Sequence, residues 1–490
     1  MVHAEVATST IPISAIADHG SPARTRSLGL AYGVFGLWLL ELVLAAISGP
    51  TLEEAWPAWL TGFAAISVWG LNLLVLYYGV GPPFTLSRVP MLSALFGFVM
   101  SVVGSANYWA TTYRFPVYRV FIERAALFVA ICTFLSLVGC LLVLRYSRST
   151  RSTGSARLFV WDWGRLRLLS YAMLAVCLIG TYMTVQRIGF IPILAGDPES
   201  LRLTFPEIAG IWLRLSTQVG IVLAVIVGAQ ICARRASETV WVAGVLGMLC
   251  ASLYGNRFFA AMPIGAILLL WDRVRRRVPL SALVLGFVVG VPALALFGYW
   301  RYQEAPIDVL SPWMLVLFGT LMEFRDLAWT MEYYSGGHAL LHGSTVGSMF
   351  MPLLPSPIWS ALGIDKAAVY AHSNAVVLGQ EMWQSTPQRI GIYGELFMNF
   401  GWIGALIGAL IYGALIGYVD RQFQGLRDRD AVRGIMLAVV CVALVYAQMG
   451  QWDMDVTAVT STCYPILLLG LVAARRRSLA TAAPNPGHVS

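Results

Sequence analysis

Thr239–Arg277 reads TVWVAGVLGMLCASLYGNRFFAAMPIGAILLLWDRVRRR. Two apolar runs, 239–254 and 258–271, are separated only by Tyr254-Gly255-Asn256-Arg257, and the stretch ends on Arg273, Arg275, Arg276 and Arg277. Each run is short for a hydrocarbon core that takes roughly 20 residues of helix to cross. Arginine decides between one broken crossing and two. Arg234 and Arg235 precede the stretch and the Arg273–Arg277 cluster closes it. Arginine collects in loops on one side of a membrane. Both groups share a side only if the chain crosses, turns at Asn256-Arg257, and crosses back.

Working outward, further apolar runs lie at 28–48, 58–80, 90–110, 125–144, 168–186 and 211–233 before this stretch, and at 279–299, 400–419, 434–450 and 456–474 after it. With 58% hydrophobic and 12% charged residues, the chain has about half the charge of a soluble domain, so lipid is its expected solvent. The runs predict an all-α polytopic membrane protein with about twelve transmembrane helices. The N-terminal 27 residues hold no long apolar run, and a retained first helix is expected rather than a cleaved signal peptide.

The net charge of +8 could suggest nucleic acid, but its distribution reads as orientation. With the N-terminus inside, alternate loops hold 22 of the 33 basic residues, among them Arg88, Arg145, Arg165, Arg167, Arg273, Arg421, Arg433 and Arg475–Arg477. That fixes both termini in the cytoplasm. The expected organisation is a cytoplasmic tail 1–27, helices one to nine over 28–299, a large periplasmic loop over 300–400, helices ten to twelve over 401–474, and a cytoplasmic tail 475–490. Within the loop, Ser311 and Pro312 suit N-cap and first-turn positions of a helix running toward Glu323, Arg325 and Asp326. A further crossing there would invert everything downstream, so this helix is expected to be interfacial or re-entrant. The proline-rich MPLLPSPIWSALG beyond it reads as surface loop.

Eleven basic residues fall on the outer side, where orientation does not explain them: Arg114, Arg119, Arg124, Arg187, Arg202, Arg214, Arg257, Arg301, Arg325, Lys366 and Arg389. An arginine at a span end either binds a phosphate or carboxylate bidentately, or snorkels and pairs with a loop carboxylate. As a set they suggest an anionic ligand. Glu41, inside the first run, must face the bundle interior or a wet cavity, where pairing with an arginine is favoured over catalysis. A general base for a sugar hydroxyl could come from the loop's carboxylates or histidines. His338 and His342 read as solvated, whereas His372 lies in the polar segment before an apolar run. All seven cysteines fall in or beside apolar runs, and there is no metal-ligand spacing, phosphate-cradling glycine loop or nucleophile elbow.

Four segments, in this order along the chain, resemble the bacterial O-antigen and oligosaccharide repeat-unit polymerases of the Wzy type. They are Arg187-Ile-Gly-Phe-Ile-Pro with Asp197-Pro198 and Arg202 downstream, Asn256-Arg257-Phe258, Tyr299-Trp300-Arg301, and Arg389-Ile-Gly-Ile-Tyr-Gly-Glu395 running into Phe400-Gly401-Trp402-Ile403-Gly404. The resemblance implies a metal-independent, GT-C-like glycosyltransferase without cofactor. It would polymerise undecaprenyl-pyrophosphate-linked oligosaccharides into O-antigen or related surface polysaccharide at the periplasmic face of the inner membrane. Its expected partners are lipid-linked donor and acceptor, the bilayer and a chain-length regulator, with no nucleic acid. Arg257, Arg301, Arg389, Arg202, Arg187 and Arg325 are then candidate pyrophosphate ligands, and Glu395, Glu323 and His372 candidate catalytic groups. An O-antigen ligase, whose His-Asn element is loosely similar to His372 and Asn374, is the nearest alternative. A twelve-helix secondary transporter is the alternative of a different class, although the longest loop here is off-centre and extracytoplasmic.

Overall fold

The structure, a computed structural model, describes residues 56–76, 79, 88–97, 119–146, 159–192, 208–253, 257–275, 277–279, 282, 323–343, 345–346, 356–363, 390–426, 431–448 and 452–476. Residues 1–60 form one unit, of which only 56–60 are described, and 61–490 form the other. The helices are α1 (Trp56–Val75), α2 (Arg119–Tyr146), α3 (Trp163–Ile188), α4 (Ile211–Cys232), α5 (Glu238–Ser252) and α6 (Arg257–Val274). They continue with α7 (Glu323–Ser335), α8 (Ser356–Ala361), α9 (Gly391–Gln424), α10 (Ala431–Tyr446) and α11 (Trp452–Ala473), and 89–97 is also helical. The only strand pairing among the described residues joins β1 (Phe159–Trp161) to β2 (Ala474–Arg476), antiparallel, with Val160 opposite Arg475.

The two apolar runs of the deciding stretch fold into α5 and α6, and 254–256 lie outside the described residues. Four helical segments are long and apolar enough to cross a membrane: Arg124–Tyr146, Trp163–Ile188, Ile211–Cys232 and Gly391–Gln424. The expected spans at 28–48 and 279–299 lie outside the described residues apart from positions 279 and 282, and so does Glu41.

The distribution of side chains is that of a helical membrane protein. On α9, Ile403, Ile407, Ile411, Leu415 and Tyr418 follow one another at three- or four-residue spacing and stand exposed. Ala405, Ala409, Gly413 and Gly417 form the buried face of the same helix. Apolar side chains outside and small ones within is the pattern that lipid permits, because helices in a bilayer associate by close packing rather than by hiding hydrophobic surface. The packing against α2 is close: a Cβ on Gly413 would lie 1.8 Å from the Ser136 carbonyl oxygen. Ser136 Oγ reinforces the contact by donating to the Ala409 carbonyl at 2.8 Å.

Local chemistry sets the helix ends. Asp162 caps α3 by accepting from the amides of Gly164 and Arg165 at 3.0 and 3.3 Å. Gly189, in the left-handed region, closes it with an amide bond to the Val185 carbonyl. At one end of the bundle several contacts join distant segments. Arg88 Nη1 meets Asp420 Oδ2 at 3.1 Å, Arg273 donates to the carbonyls of Phe423, Gln424 and Leu426, and Arg433 donates to Gln422. Arg167 reaches the Arg235 carbonyl, and β1 pairs with β2. Every segment in this set is one that the arginine distribution assigns to a single side.

Of the helix expected in the loop, the start at Ser311 and Pro312 lies outside the described residues, as do 301–322, and Glu323, Arg325 and Asp326 lie in α7. One expectation about the loop needs correction. The proline-rich stretch, expected as plain loop, contains the short helix α8.

The expected boundary at residue 400 is the apex of a helical hairpin. Gly401 has φ 66° and ψ −163°, and the helix reverses there. In one straight helix Tyr393 and Tyr412 would stand roughly 28 Å apart at 1.5 Å per residue. Instead their ring centroids are 6.1 Å apart, and the Leu396 side chain lies against Gly408. Segment 391–400 is therefore a half-helix lying antiparallel to 402–424 and starting level with the middle of that longer helix.

Candidate functional site

Glu395 lies on the half-helix, about 9 Å along its axis from the apex at 1.5 Å per residue. It is buried, 7% exposed. Its neighbours come from the loop. Thr345 Oγ1 donates to Glu395 Oε2 at 2.8 Å. Asn399, one turn along the half-helix, donates from Nδ2 to Thr345 Oγ1 and to the Glu395 carbonyl, the latter at 2.7 Å. The Gly343 amide donates to Asn399 Oδ1 at 2.9 Å. The amides of Leu341 and His342 bond the carbonyls of Met398 and Asn399, both at 3.1 Å. Carbonyls at the end of a helix have no intrahelical partner, and here the loop satisfies two of them.

Helix α7 packs beside this clasp, with Leu327 against Gly394 and the Tyr334 ring 6.4 Å from that of Phe397. Burial first, and then Tyr333 and the Glu395 charge, push the Tyr334 phenol up. It stays protonated, a donor, and its hydroxyl has no hydrogen-bond partner among the described residues. Tyr333 stacks on His338 with ring centroids 3.8 Å apart. His338 and His342 are exposed, as expected, and His342 holds a positive φ of 47° in the clasp turn.

The other candidates are distributed unevenly. Arg187 stands exposed in the last turn of α3, Arg257 lies in α6, and Glu323 and Arg325 lie in α7. His372, Arg202, Arg301 and Arg389 lie outside the described residues. Helix directions bring Arg187, Arg214 and Arg257 to the end of the bundle that carries the hairpin apex. Arg273, at the far end of α6, meets the far end of α9. Gly228 near the end of α4 packs on Ile267 near the end of α6, so these two helices run parallel. Gly180 of α3 lies against Ser216 of α4, and Arg167 at the start of α3 reaches Arg235 just past the end of α4, so α3 is antiparallel to α4.

Sequence reasoning singled out Glu395 but missed Thr345, Asn399 and Tyr334. One signal was available. A polar Asn within Phe397-Met398-Asn399-Phe400, followed by Gly401, marks a helix end rather than the start of a span. Thr345 carries no such signal, because its partners lie 50 and 54 residues away.

Among the described residues no three His, Cys, Asp or Glu side chains converge as a metal site. Chemically, the cluster offers a buried carboxylate fixed as an acceptor, a neighbouring phenol as a donor, and arginines at the same end of the bundle. No family model, curated protein or solved structure matches the chain.

Proposed function

We propose that this protein is a GT-C-like glycosyltransferase of the bacterial inner membrane that joins undecaprenyl-pyrophosphate-linked oligosaccharide units into a surface polysaccharide. The observation that carries the reading is Glu395, a buried carboxylate on a half-helix, clasped by the loop at the same end of the bundle as Arg187, Arg214 and Arg257.

In this reading Glu395 takes the proton from the acceptor sugar's hydroxyl, and the freed oxygen forms a bond to the anomeric carbon of the donor. The bond from that carbon to the pyrophosphate oxygen breaks, and the lipid pyrophosphate leaves with the electron pair. Its charge is met by arginines at the headgroup level, with Arg257 and Arg187 joined by Arg202, Arg301, Arg325 and Arg389. A lipid-linked donor presents its phosphates at the interface while its sugars extend into water beneath the loop. A chain-length regulator would act on this reaction from outside the chain.

The test is elongation by protein reconstituted in liposomes, with undecaprenyl-pyrophosphate oligosaccharide as the sole glycan substrate. A ladder of products is expected from the parent. Glu395→Gln, inserted normally, should be slower by about 10²–10⁴-fold, the usual contribution of a positioned base. Full activity in Glu395→Gln would overturn the role of Glu395. The absence of any ladder from the parent would overturn the polymerase reading, and transfer to added lipid A-core instead would make the protein a ligase.

A further inference from the structure

The hydrogen-bond relay from Gly343 through Asn399 and Thr345 to Glu395 runs in one direction only. The Gly343 amide can only donate, so the Asn399 atom facing it is the carbonyl oxygen Oδ1, at 2.9 Å. That leaves Nδ2 facing the Glu395 carbonyl at 2.7 Å and Thr345 Oγ1, and both must accept. Thr345 Oγ1, accepting from Asn399, sends its single proton to Glu395 Oε2 at 2.8 Å. Asn399 and Thr345 are both buried, 0% and 4% exposed, so water does not compete with the chain. A backbone amide cannot turn round, and a relay that starts on one cannot reverse.

We propose that Asn399 and Thr345 are positioning residues for Glu395: the relay Gly343 to Asn399 to Thr345 fixes the carboxylate in one rotamer and turns its basic lone pairs toward the acceptor sugar. The inference rests on the glycosyltransferase reading for what Glu395 does, and on the described geometry for how it is held. The relay joins the loop to the half-helix, because Gly343 and Thr345 belong to one and Asn399 and Glu395 to the other. Seating the loop over the substrate and aligning the carboxylate are thereby one event. A displacement of about 1 Å at a reacting group can cost on the order of 10²-fold in rate, so the relay acts on kcat rather than on substrate affinity.

The experiment compares parent, Thr345→Ser, Thr345→Val and Asn399→Asp in the liposome elongation assay. Thr345→Val keeps the volume and removes the hydroxyl, and Asn399→Asp replaces the donor with an acceptor. Both should lose about 10–100-fold in kcat with KM little changed, while Thr345→Ser keeps the parent's kcat. A purely structural Thr345 would not show this split between kcat and KM with rescue by serine. Parent kcat in a folded Thr345→Val overturns the proposal, and if that variant does not insert, parent kcat in Asn399→Asp does so. A second measurement does not depend on catalysis. Amide hydrogen exchange over residues 341–346 should be faster in Asn399→Ala than in the parent, and equal exchange overturns the clasp even if elongation is never observed. A parent that fails to elongate while Asn399→Ala accelerates exchange overturns only the functional reading.

Discussion

Asp420 shows what a single residue contributes and why its part was hidden in the sequence. It sits near the far end of the longer arm of α9, fully buried, and accepts from Arg88 at 3.1 Å and from the Val89 amide at 3.0 Å. Arg88 was legible as one of the arginines that orient the chain. Its second role was not, because its partner lies 332 residues further on. A buried carboxylate stripped of its counter-charge costs about 3–5 kcal/mol, while replacing both charges by apolar groups is far less damaging. Arg88→Ala should therefore lower the thermal unfolding midpoint in detergent well below that of the double variant Arg88→Ala with Asp420→Leu. If the single variant unfolds at the parent temperature, the pair is not what holds 89–97 against α9. The same reasoning separates Glu395 from Thr345 and Asn399. A carboxylate beside glycines in an apolar run stands out in a sequence, whereas the hydroxyl and amide that hold it are ordinary residues until the fold brings them together.

The elements were legible by length and composition and failed at the one place where the chain reverses. Apolar runs located α2, α3, α4, α5 and α6 to within a few residues, since roughly 20 apolar residues in helix is what a bilayer requires. The hairpin at Gly401 escaped because the apolar run at 400–419 reads as the start of a span, while Glu395 and Asn399 leave 391–400 reading as the end of the loop rather than as a helical arm. Only glycine tolerates φ 66° with ψ −163°, and Leu340 comes within 3.3 Å of the position a Cβ would take. The apex is flanked by exposed Phe400 and Trp402, aromatic side chains of the kind that settle at a membrane–water boundary. Gly401→Ala should strain the reversal by about 1–3 kcal/mol and pull the half-helix from its place beside α2. The measurement is limited proteolysis of 390–402 in proteoliposomes. Cleavage there should accelerate in Gly401→Ala and stay unchanged in the control Gly70→Ala, where a Cβ meets no atom within 4 Å; equal protection of Gly401→Ala and parent would contradict a glycine-dependent hairpin.

For the whole molecule, charge and packing give the same partition by independent routes. The arginine distribution assigns the segments around Arg88, Arg167, Arg273, Arg421 and Arg475 to one side. The folded chain joins those same segments at one end, through Arg88 with Asp420, Arg273 with the last carbonyls of α9, and β1 with β2. Arginine near those carbonyls is also where the helix dipole favours a cation, so charge that orients the chain stabilises its ends as well. What the sequence lacked was the depth of each loop, because a loop that folds back into the bundle has the same composition as one that stays outside. The partition makes a direct prediction about sidedness. All seven native cysteines are buried, so a membrane-impermeant thiol reagent meets little background. Exposed positions that the arginine distribution puts on opposite sides can then be compared as Leu362→Cys in the loop and Arg165→Cys at the start of α3. In intact cells Leu362→Cys should react from outside, and Arg165→Cys only after the membrane is opened. Reaction of both from the same side would break the correspondence between charge and packing, and with it the placement of the Glu395 clasp on the side opposite the orienting arginines.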